Sequence, residues 1–512
     1  MSEYAAPAMA AFDGPRRALI TASVMLASIM QALDNTIANV ALPRIQGSLS
    51  ATQDQMAWVL TSYIIATAIM TPLSGWLAGQ IGRKRVFLAS VVGFTLASML
   101  CGLAQSLPEI VLARLAQGLC GAALVPMSQA VLLDINPPER HGRAMAVWGM
   151  GVIIGPILGP ALGGWLTENY NWRWVFYINV PFGILAFLGI LSAVPETVIR
   201  KSRFDFFGFA ALSIGIAALQ LTLDRGQLKD WFSSTEIWIE AIVALVAFYW
   251  FVIHMLTTTG PRFVTPALFK DRNFLTGNFF IFVVGVVLFA TLALLPPLLQ
   301  DLLDYPVVTT GLVTAPRGIG TLIAMFIVGR LMGKMDVRWI IGCGFALTAL
   351  SCWQMTSFDL QMGSNTIVWS GIAQGLGTGF VYVPLATATF ATLVPTLRNE
   401  GTAIFSLSRN LGSSIGISVV ETLLTRNTQI LHSTLGEHIT PYTSSILTPD
   451  GRTIPTGSVL AALNATVTKQ AAMLAYNNDF QLMLYLCLAT IPLVMLLRKG
   501  AAARSAEPVA LE

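Results

Sequence analysis

Residues 75–85 form the loop Gly75-Trp76-Leu77-Ala78-Gly79-Gln80-Ile81-Gly82-Arg83-Lys84-Arg85, in which glycines and a basic cluster separate two apolar runs. The runs lie at 55–78 and 85–105. A helix of about 20 apolar residues is long enough to cross the hydrocarbon core of a bilayer. This stretch therefore predicts two membrane-spanning helices joined by a short basic turn.

The whole chain has the composition of a membrane protein. Of its 512 residues, 55% are hydrophobic and 11% are charged, whereas roughly 25% are charged in an ordinary globular chain. The net charge of +4 is spread along the chain and does not suggest nucleic-acid binding. The five cysteines all lie in apolar runs, which indicates packed hydrophobic side chains rather than a disulfide framework or a metal site.

Apolar runs long enough to span a membrane recur throughout the sequence. Fourteen candidates lie near 18–39, 55–78, 85–105, 109–133, 144–166, 174–194, 206–223, 236–256, 275–298, 309–332, 339–357, 366–394, 401–424 and 480–497. The thirteenth is the least apolar, because it contains Arg409, Asn410 and Glu421.

The basic residues are distributed unequally between the two sides of these spans. Of the 30 Lys and Arg, 20 lie in loops on the side of the N-terminus, 7 lie on the other side, and 3 lie within spans. The positive-inside rule then places both termini in the cytoplasm and requires an even number of spans. The first 17 residues end in Arg16-Arg17 and lead into an apolar run that is longer than a signal core and is not followed by a cleavage site, so they do not resemble a removable signal.

Two short patterns occur twice with nearly constant spacing. Gly75-Trp-Leu-Ala-Gly79 recurs as Gly329-Arg-Leu-Met-Gly333, an offset of 254 residues. Ala116-Gln-Gly-Leu119 recurs as Ala373-Gln-Gly-Leu376, an offset of 257. The agreement predicts a duplicated unit of six spans, with spans 7 and 8 inserted between the copies.

This 6+2+6 arrangement divides the chain into segments. They are a cytoplasmic tail at 1–17, a six-helix bundle at 18–198, two inserted helices at 199–258, the first five helices of a second bundle at 259–424, a periplasmic loop at 425–478, the last helix at 479–499, and a cytoplasmic tail at 500–512. Two pseudo-symmetric halves facing each other across a central site are the basis of alternating access in transporters.

Three motifs resemble those of the major facilitator superfamily, which implies an all-α membrane protein with the major facilitator fold. The loop after span 2 resembles the cytoplasmic gating loop of the superfamily and contains Gly75, Gly79, Gly82, Arg83 and Lys84. Its proton-transfer motif is similar to Arg114-x-x-Gln117-Gly118 of span 4. The motif associated with its antiporters resembles the span 5 residues Gly151, Gly155, Pro156, Gly159, Pro160, Gly163 and Gly164.

Span 1 and the start of span 6 narrow this resemblance. The strings Leu33-Asp-Asn35-Thr-Ile-Ala-Asn-Val-Ala-Leu-Pro43, Asn171-Trp-Arg-Trp174 and Asn179-x-Pro181 resemble the fourteen-span drug:proton antiporters, and among them the EmrB-like branch. The resemblance covers spans 1 to 14. There is one departure: the signature loop usually has an Asp where this chain has Gly79, so the gating network is expected to differ.

Asp34 is the most informative single residue. A carboxylate inside a span costs a few kcal/mol to insert, so it usually faces a cavity or a partner. Because burial disfavours the charged form, such a group can bind and release a proton. Arg114 lies at a similar level of span 4 and stays charged, so it is a candidate partner. Glu421 and Arg409 of span 13 are a second candidate pair. A purely structural role for each of these four residues remains an alternative.

The four span 5 glycines at 151, 155, 159 and 163 are four residues apart, so they drift only about 40° per step around a helix. They predict a stripe that another helix can approach closely, and Pro156 and Pro160 stiffen or bend the same segment. Tight packing alone explains the stripe. A seam that seals the cytoplasmic side during transport is compatible with it.

These features favour proton-coupled export of hydrophobic or cationic drugs, driven by the proton gradient without a cofactor. A dedicated exporter of one metabolite, such as a siderophore or an amino acid, is the alternative, and an importer is third. The sequence has no nucleotide-binding loop and no catalytic motif, so an enzyme is not expected. Substrate-cavity candidates are Met30, Gln31, Asn35, Gln117, Phe280, Gln374 and Tyr382.

The EmrB resemblance also implies a location and partners. It implies a multi-pass protein of the bacterial inner membrane, surrounded by lipid. Members of this branch work with an EmrA-like periplasmic adaptor and an outer-membrane channel. The loop at 425–478 is the expected docking region for such an adaptor.

Overall fold

The computed structural model describes residues 14–137, 140–197, 199, 203–394, 397–439 and 457–498. Regular structure within these residues is helical, apart from one bridge between Met332 and Met335. The predicted tail at 500–512, and all of the tail at 1–17 except its last four residues, lie outside the described residues.

The helices follow the predicted spans closely. Those of the first half are α1 (Gly14–Leu49), α2 (Gln53–Ile81), α3 (Arg83–Leu103), α4 (Leu107–Gly121), α5 (Leu124–Ile135), α6 (His141–Val152), α7 (Ile154–Asn169), α8 (Trp174–Tyr177) and α9 (Asn179–Ala193). Short interruptions separate α4 from α5, α6 from α7 and α8 from α9, so that each of these pairs covers a single apolar run.

The inserted segment and the second half continue in the same manner. The inserted helices are α10 (Phe206–Gly226) and α11 (Thr235–Thr257). The second half contains α12 (Ala267–Lys270), α13 (Arg272–Pro297), α14 (Val307–Thr314), α15 (Pro316–Leu331), α16 (Val337–Met355), α17 (Ser364–Ala391), α18 (Arg398–Glu437) and α19 (Gly457–Leu493).

Helical structure therefore lies over all fourteen apolar runs. Ten of the described helical segments are long and apolar enough to cross a membrane by length and composition. The segments that fall outside this criterion are α6–α7, α16, α17 and α18. Glycine, serine and threonine lower the mean hydropathy of α17, and Arg409 and Glu421 lower that of α18.

The two halves pack their helices in corresponding ways. In the first half, α4 lies against both α2 and α3, and in the second half α17 lies against both α15 and α16. The loops after α2 and α15 each contain a glycine with positive φ, Gly82 at +92° and Gly333 at +86°. Glycine is suited to these positions because a Cβ atom disfavours positive φ.

The halves meet along α2, α5 and α6 on one side and α15, α17 and α18 on the other. Gly75 of α2 lies against the backbone of Asn399 and Glu400, where a Cβ would meet backbone atoms at 3.1 Å. Gly142 of α6 lies against the Met332 side chain, where a Cβ on Gly142 would lie 2.8 Å from Met332 Cε. The end of the molecule that contains these two contacts is called the basic end below.

The inserted helices attach to both halves through α10. It packs against α2 and α18, whereas α11 lies mainly on α10. At one end, His254 of α11 contacts Asp205 at 2.9 Å, and Asp205 also accepts from the backbone N–H of Gly208 at the start of α10. At the other end of the pair, Arg225 forms an ion pair with Glu236.

Helical structure extends into the predicted loop at 425–478 from both ends. Helix α18 continues to Glu437 and α19 already begins at Gly457; residues 440–456 lie outside the described residues. Backbone hydrogen bonds propagate a helix beyond the point where its side chains become polar, which a hydropathy scan does not detect. The two extensions contact each other through His432 and Asn464, 3.0 Å apart.

Candidate functional site

A buried carboxylate site lies inside the first half. Asp34 of α1 is 0% exposed. Its Oδ2 accepts from Arg114 Nη1 of α4 at 2.7 Å, and its Oδ1 accepts from Gln117 Nε2 at 2.8 Å and from Asn179 Nδ2 at 2.9 Å. Two helices, α4 and α9, thus supply one carboxylate with three donors, which is what an ionised carboxylate away from water requires.

The guanidinium of Arg114 is held from several directions as well. It donates to Gln117 Oε1 at 2.8 Å and to the carbonyl of Val59 at 3.3 Å. Its Cζ lies 4.3 Å from the centroid of the Tyr63 ring, a geometry that stabilises a cation electrostatically. Removing one partner of a buried pair costs about 3–5 kcal/mol, because the other charge is left uncompensated.

The helix phase explains how these side chains converge. Arg114 and Gln117 are three residues apart on α4, so they share one helix face. Asn179 begins α9 directly after the short α8, and Ser98 of α3 accepts from its Nδ2 at 2.9 Å. In the sequence, Asn179 is notable only as part of the Asn179-x-Pro181 motif. Nothing local in the sequence indicates that it contacts a carboxylate 145 residues away.

The glycine stripe packs against the helix that carries Asp34. A Cβ on Gly151 would lie 2.1 Å from Met25 Sδ, one on Gly155 would lie 2.7 Å from Leu33 N, and one on Gly159 would lie 2.1 Å from Thr36 Oγ1. Gly163 continues this contact, since a Cβ on it would lie 2.8 Å from Ile37 Cγ1. Gly164 has nothing within 4 Å, and the side chains of Pro156 and Pro160 lie outside the described residues. The stripe therefore brings α6 and α7 into direct contact with α1.

Charged side chains connect the two halves at the basic end. Asp134 of α5 accepts from Arg83 Nη1 at 2.5 Å and from Arg398 Nη1 at 3.0 Å. Arg83 follows Gly82 at the start of α3, and Arg398 begins α18 of the second half. A carboxylate on α5 thus lies between the signature loop and the second half, in a chain that has Gly79 at the position where the family usually has Asp.

An aromatic contact joins the halves nearer the middle. The hydroxyl of Tyr382 on α17 lies 3.3 Å from Gln129 Nε2 of α5 and 3.2 Å from Arg409 Nη1 of α18. The Tyr382 ring stacks on Trp148 of α6, with centroids 6.4 Å apart. Trp148 in turn donates to Ser28 Oγ of α1 at 3.1 Å. Gln129 and Trp148 were not among the predicted cavity residues.

The structure does not bring the seven predicted cavity residues together. Tyr382 lies between the halves, whereas Met30, Gln117, Phe280 and Gln374 are each at most 1% exposed. Gln117 belongs to the Asp34 site, and Gln374 Nε2 donates to Thr291 Oγ1 at 2.9 Å. Side-chain phase on a helix decides these placements, and uniformly apolar spans give little signal of phase.

The remaining two predicted cavity residues lie on α1. Gln31 is mostly buried, and Asn35 is exposed. A groove of about 530 Å³ lies between α1 and α9, and its lining includes none of the predicted cavity residues.

Arg409 and Glu421 do not contact each other in the described structure. They are 12 residues apart on α18, which is about 18 Å along a helix. Arg409 donates to Tyr382 and to Asn410. Glu421 is exposed, and it lies near Asp224 of α10. Their roles in proton transfer remain predictions.

The fold and the site define a class of membrane transporter with two bundles and a buried acid–base pair. Residues 24–287 and 277–429 match the Major Facilitator Superfamily, and the chain belongs to that superfamily. The prediction of an all-helical major facilitator fold is confirmed.

Within the superfamily, the chain matches the EmrB-like branch. It is 38% identical to the multidrug export protein EmrB of Escherichia coli strain K12 over 84% of each chain. It is 36% identical to the fatty acid resistance protein FarB of Neisseria gonorrhoeae, over 94% of this chain and 96% of FarB.

Solved structures agree with this fold at low sequence identity. The human organic anion transporter MFSD10 superposes with a TM-score of 0.61 at 14% identity, over 92% of this chain and 99% of that one. The proton:xylose symporter XylE superposes with a TM-score of 0.61 at 13% identity, over 94% and 97% of the two chains.

Proposed function

We propose that the chain is a proton-coupled multidrug efflux transporter that exports hydrophobic or cationic small molecules across the bacterial inner membrane. The observation that carries the proposal is the Asp34–Arg114 pair, which is fully buried and whose Asp34 belongs to the helix that packs against the antiporter-like glycine stripe. Similarity to EmrB over 84% of the chain supports the direction of transport and the drug class.

The site geometry supports a proton cycle at Asp34. Protonation of Asp34 neutralises the carboxylate and weakens its bond to Arg114, which keeps its charge and its bond to the Val59 carbonyl. Asp34 lies beside Leu33 and Thr36, which contact Gly155 and Gly159. When Asp34 gains or loses a proton, its hydrogen bonds to α4 and α9 change, and α1 shifts relative to these helices. Because α1 also packs against α7, this shift changes the α1–α7 contact and so links proton binding to the arrangement of the helices.

Fourteen spans in a 6+2+6 layout, with both termini in the cytoplasm, complete the proposal. The helices over the fourteen runs and the corresponding packing of α2–α4 and α15–α17 support the layout. In this orientation the basic end is cytoplasmic. Asp134 then stabilises the cytoplasmic closure by bridging Arg83 and Arg398.

An adaptor and an outer-membrane channel are proposed as partners. An exporter that released apolar cargo into the periplasm would lose it back to the membrane without such a conduit. Helix α18 has 40 residues, about 60 Å, and so is about twice as long as a hydrocarbon core is thick. Its extension and that of α19 are on the end opposite the basic end and offer a helical surface for docking.

Export of amphipathic carboxylic acids is a second candidate function. The similarity to FarB extends over 94% of this chain, and that relative is named for fatty acid resistance. A transporter that exported only such acids would be a dedicated exporter, which is the alternative function that the sequence leaves open.

A transport assay with matched cargo classes tests the proposal and separates the candidates. The chain is expressed with and without a cognate adaptor in a host that lacks efflux pumps, and resistance is measured for cationic dyes, neutral apolar drugs and fatty acids. We expect resistance to several classes that collapses when the proton gradient is dissipated. Resistance confined to fatty acids selects the second candidate. Resistance that survives loss of the gradient overturns proton coupling.

A further inference from the structure

The second half contains a counterpart of the Asp34 site in which the charges occupy different positions. The repeat offset of 257 residues takes Gln117 to Gln374 and Asp34 to Thr291. Gln374 Nε2 lies 2.9 Å from Thr291 Oγ1, as Gln117 Nε2 lies 2.8 Å from Asp34 Oδ1. The same pair of helix positions thus meets in both halves, with a hydroxyl in the second half where the first has a carboxylate.

The cation is also present in the second half, but on another helix. The offset of 257 takes Arg114 to Gly371, and the offset of 254 takes Tyr63, whose ring packs on Arg114, to Arg317. The Cβ of Arg317 lies 3.6 Å from the Cβ position of Gly371. In the first half Tyr63 lies beside Arg114, and at the corresponding positions of the second half Arg317 lies beside Gly371. The guanidinium of the second half therefore comes from α15 and not from α17, the helix that carries Gln374.

Among the described residues, no carboxylate forms an ion pair with this guanidinium. Arg317 is 9% exposed. Its Nη2 donates to the carbonyl of Leu288 at 3.3 Å, and its Nη1 has no hydrogen-bond partner among the described residues. Gln374 Oε1 likewise has none. The first half satisfies its arginine with Asp34, so the second half has a cation whose expected counter-charge must come from elsewhere.

A carboxyl group of the same half meets this description. Asp479 of α19 is 1% exposed, and neither of its oxygens has a partner among the described residues. It lies one turn before Met483, whose sulfur is 3.5 Å from Thr291 Oγ1, so it projects from the same helix face about 6 Å away. An ionised carboxylate without donors is very costly inside a protein, whereas a protonated one is far less so.

We propose that Asp479 is a second proton-binding carboxylate, with Arg317 as its counter-charge, so that each half contains one carboxyl–guanidinium set. The proposal rests on proton-driven export as the function. In the proposed cycle, Asp479 is protonated while no described residue donates to its oxygens. When its O–H bond breaks, the proton passes to water, and the carboxylate that remains is stabilised by Arg317 across Thr291 and Gln374.

Other titratable groups around the two residues fit this assignment. Tyr476, on the same helix as Asp479, interacts electrostatically with Asp479, with Asp301 after α13 and with Glu421 of α18. Near Arg317, α16 contributes Cys352. Burial of a carboxyl group disfavours its charged form and a nearby guanidinium favours that form, which is the balance that a proton carrier requires.

The test counts protons per cargo molecule in proteoliposomes containing the full chain, with a cationic dye as cargo and a pH-sensitive reporter. Asp479→Asn is expected to insert normally, because it removes a group that has no partner, and to release about half as many protons per cargo as the wild type. The matched control is Asp304→Asn, which removes an exposed carboxylate paired with Lys469; it should leave the ratio unchanged.

A second variant tests the role of Arg317 through the pH profile. Arg317→Gln removes the charge that stabilises ionised Asp479, so deprotonation should require a higher pH and the pH of half-maximal efflux should rise. Arg317→Lys should restore it. Wild-type proton ratios in Asp479→Asn, or an unshifted profile in Arg317→Gln, overturn the proposal. A wild type that releases no protons with cargo overturns proton coupling as a whole instead.

Discussion

Asp134 Oδ1 lies 3.0 Å from Arg398 Nη1, which joins the first half of the chain to the second across 264 residues. Asp134 also binds Arg83, the basic residue that follows the positive-φ Gly82 of the signature loop. One carboxylate therefore connects the loop after α2 to the start of α18. Because the side chain of Asp134 is 35% exposed, each of these bonds is worth at most about 1 kcal/mol.

Substitution of Asp134 should open the basic end more often. Asp134→Asn removes the charge that faces both arginines, and a change of about 1 kcal/mol alters the ratio of two states about fivefold. The measurement is the maleimide labelling rate of a cysteine at Ala146, which packs beside Gly329 at the α6–α15 contact, in a chain without its five native cysteines. We expect a several-fold faster rate and weaker efflux. Equal rates in Asp134→Asn and the Asp304→Asn control would show that Asp134 does not stabilise the closure.

The sequence predicts the general architecture well, because membrane spans have a strong signal in hydropathy and charge. It also indicates Asp34 and Arg114, since intramembrane charges are rare, and the structure places them 2.7 Å apart. It does not predict Asn179 as a ligand of Asp34, because a contact across 145 residues depends on the tertiary packing of α1, α3 and α9.

The sequence contains little signal of helix phase at the site. Gln117 is predicted to line the cargo cavity, and in the structure its amide donates to Asp34 inside the first half; its role toward cargo stays a prediction. Gln374 lies similarly inside the second half. Both residues are on helices with little amphipathic pattern, so the sequence does not distinguish a side facing the cavity from a side facing a neighbouring helix. In contrast, the repeat in the sequence does predict that Gln117 and Gln374, 257 residues apart, occupy corresponding positions in the two halves.

The glycine seam gives a prediction with an internal control. Gly155→Leu and Gly159→Leu place side chains where Leu33 N lies at 2.7 Å and Thr36 Oγ1 at 2.1 Å, costing about 1–3 kcal/mol in overpacking. Gly164→Leu meets open space. We expect the first two variants to insert and to lose efflux or leak protons, and the third to transport normally. Efflux at the wild-type level in all three variants would assign the stripe no role in transport.

The proposed topology predicts the side of three reporter fusions. Fusions after Arg203 and after residue 499 should report a cytoplasmic location, and one after residue 448 should report a periplasmic one. The reason is the excess of Lys and Arg on the N-terminal side of the spans. Paired reporters that are active on opposite sides of the membrane provide the measurement. A cytoplasmic location for residue 448 would remove α18 as a span and the 6+2+6 layout with it.

The Asp34 site provides the most direct test of coupling. Asp34→Asn keeps the size of the side chain and resembles the protonated acid permanently, but it cannot titrate. Asn179 Nδ2 and Gln117 Nε2 can still donate to its amide oxygen, as they do to Asp34 Oδ1 at 2.9 and 2.8 Å, whereas Arg114 loses its counter-charge. We therefore expect a variant that inserts with reduced thermal stability, because a buried cation without its partner costs about 3–5 kcal/mol.

Transport and binding should separate in this variant. Proton-driven efflux should fall to background in proteoliposomes, while an apolar cargo still binds the detergent-solubilised protein, since Asp34 is fully buried among its polar partners inside the first half. The double variant Asp34→Asn with Arg114→Gln removes both charges and should recover stability without recovering efflux, because no titrating group returns. Cargo-evoked proton release equal to the wild type in the single variant would exclude Asp34 from coupling, and Glu421 would then be the next carboxylate to test.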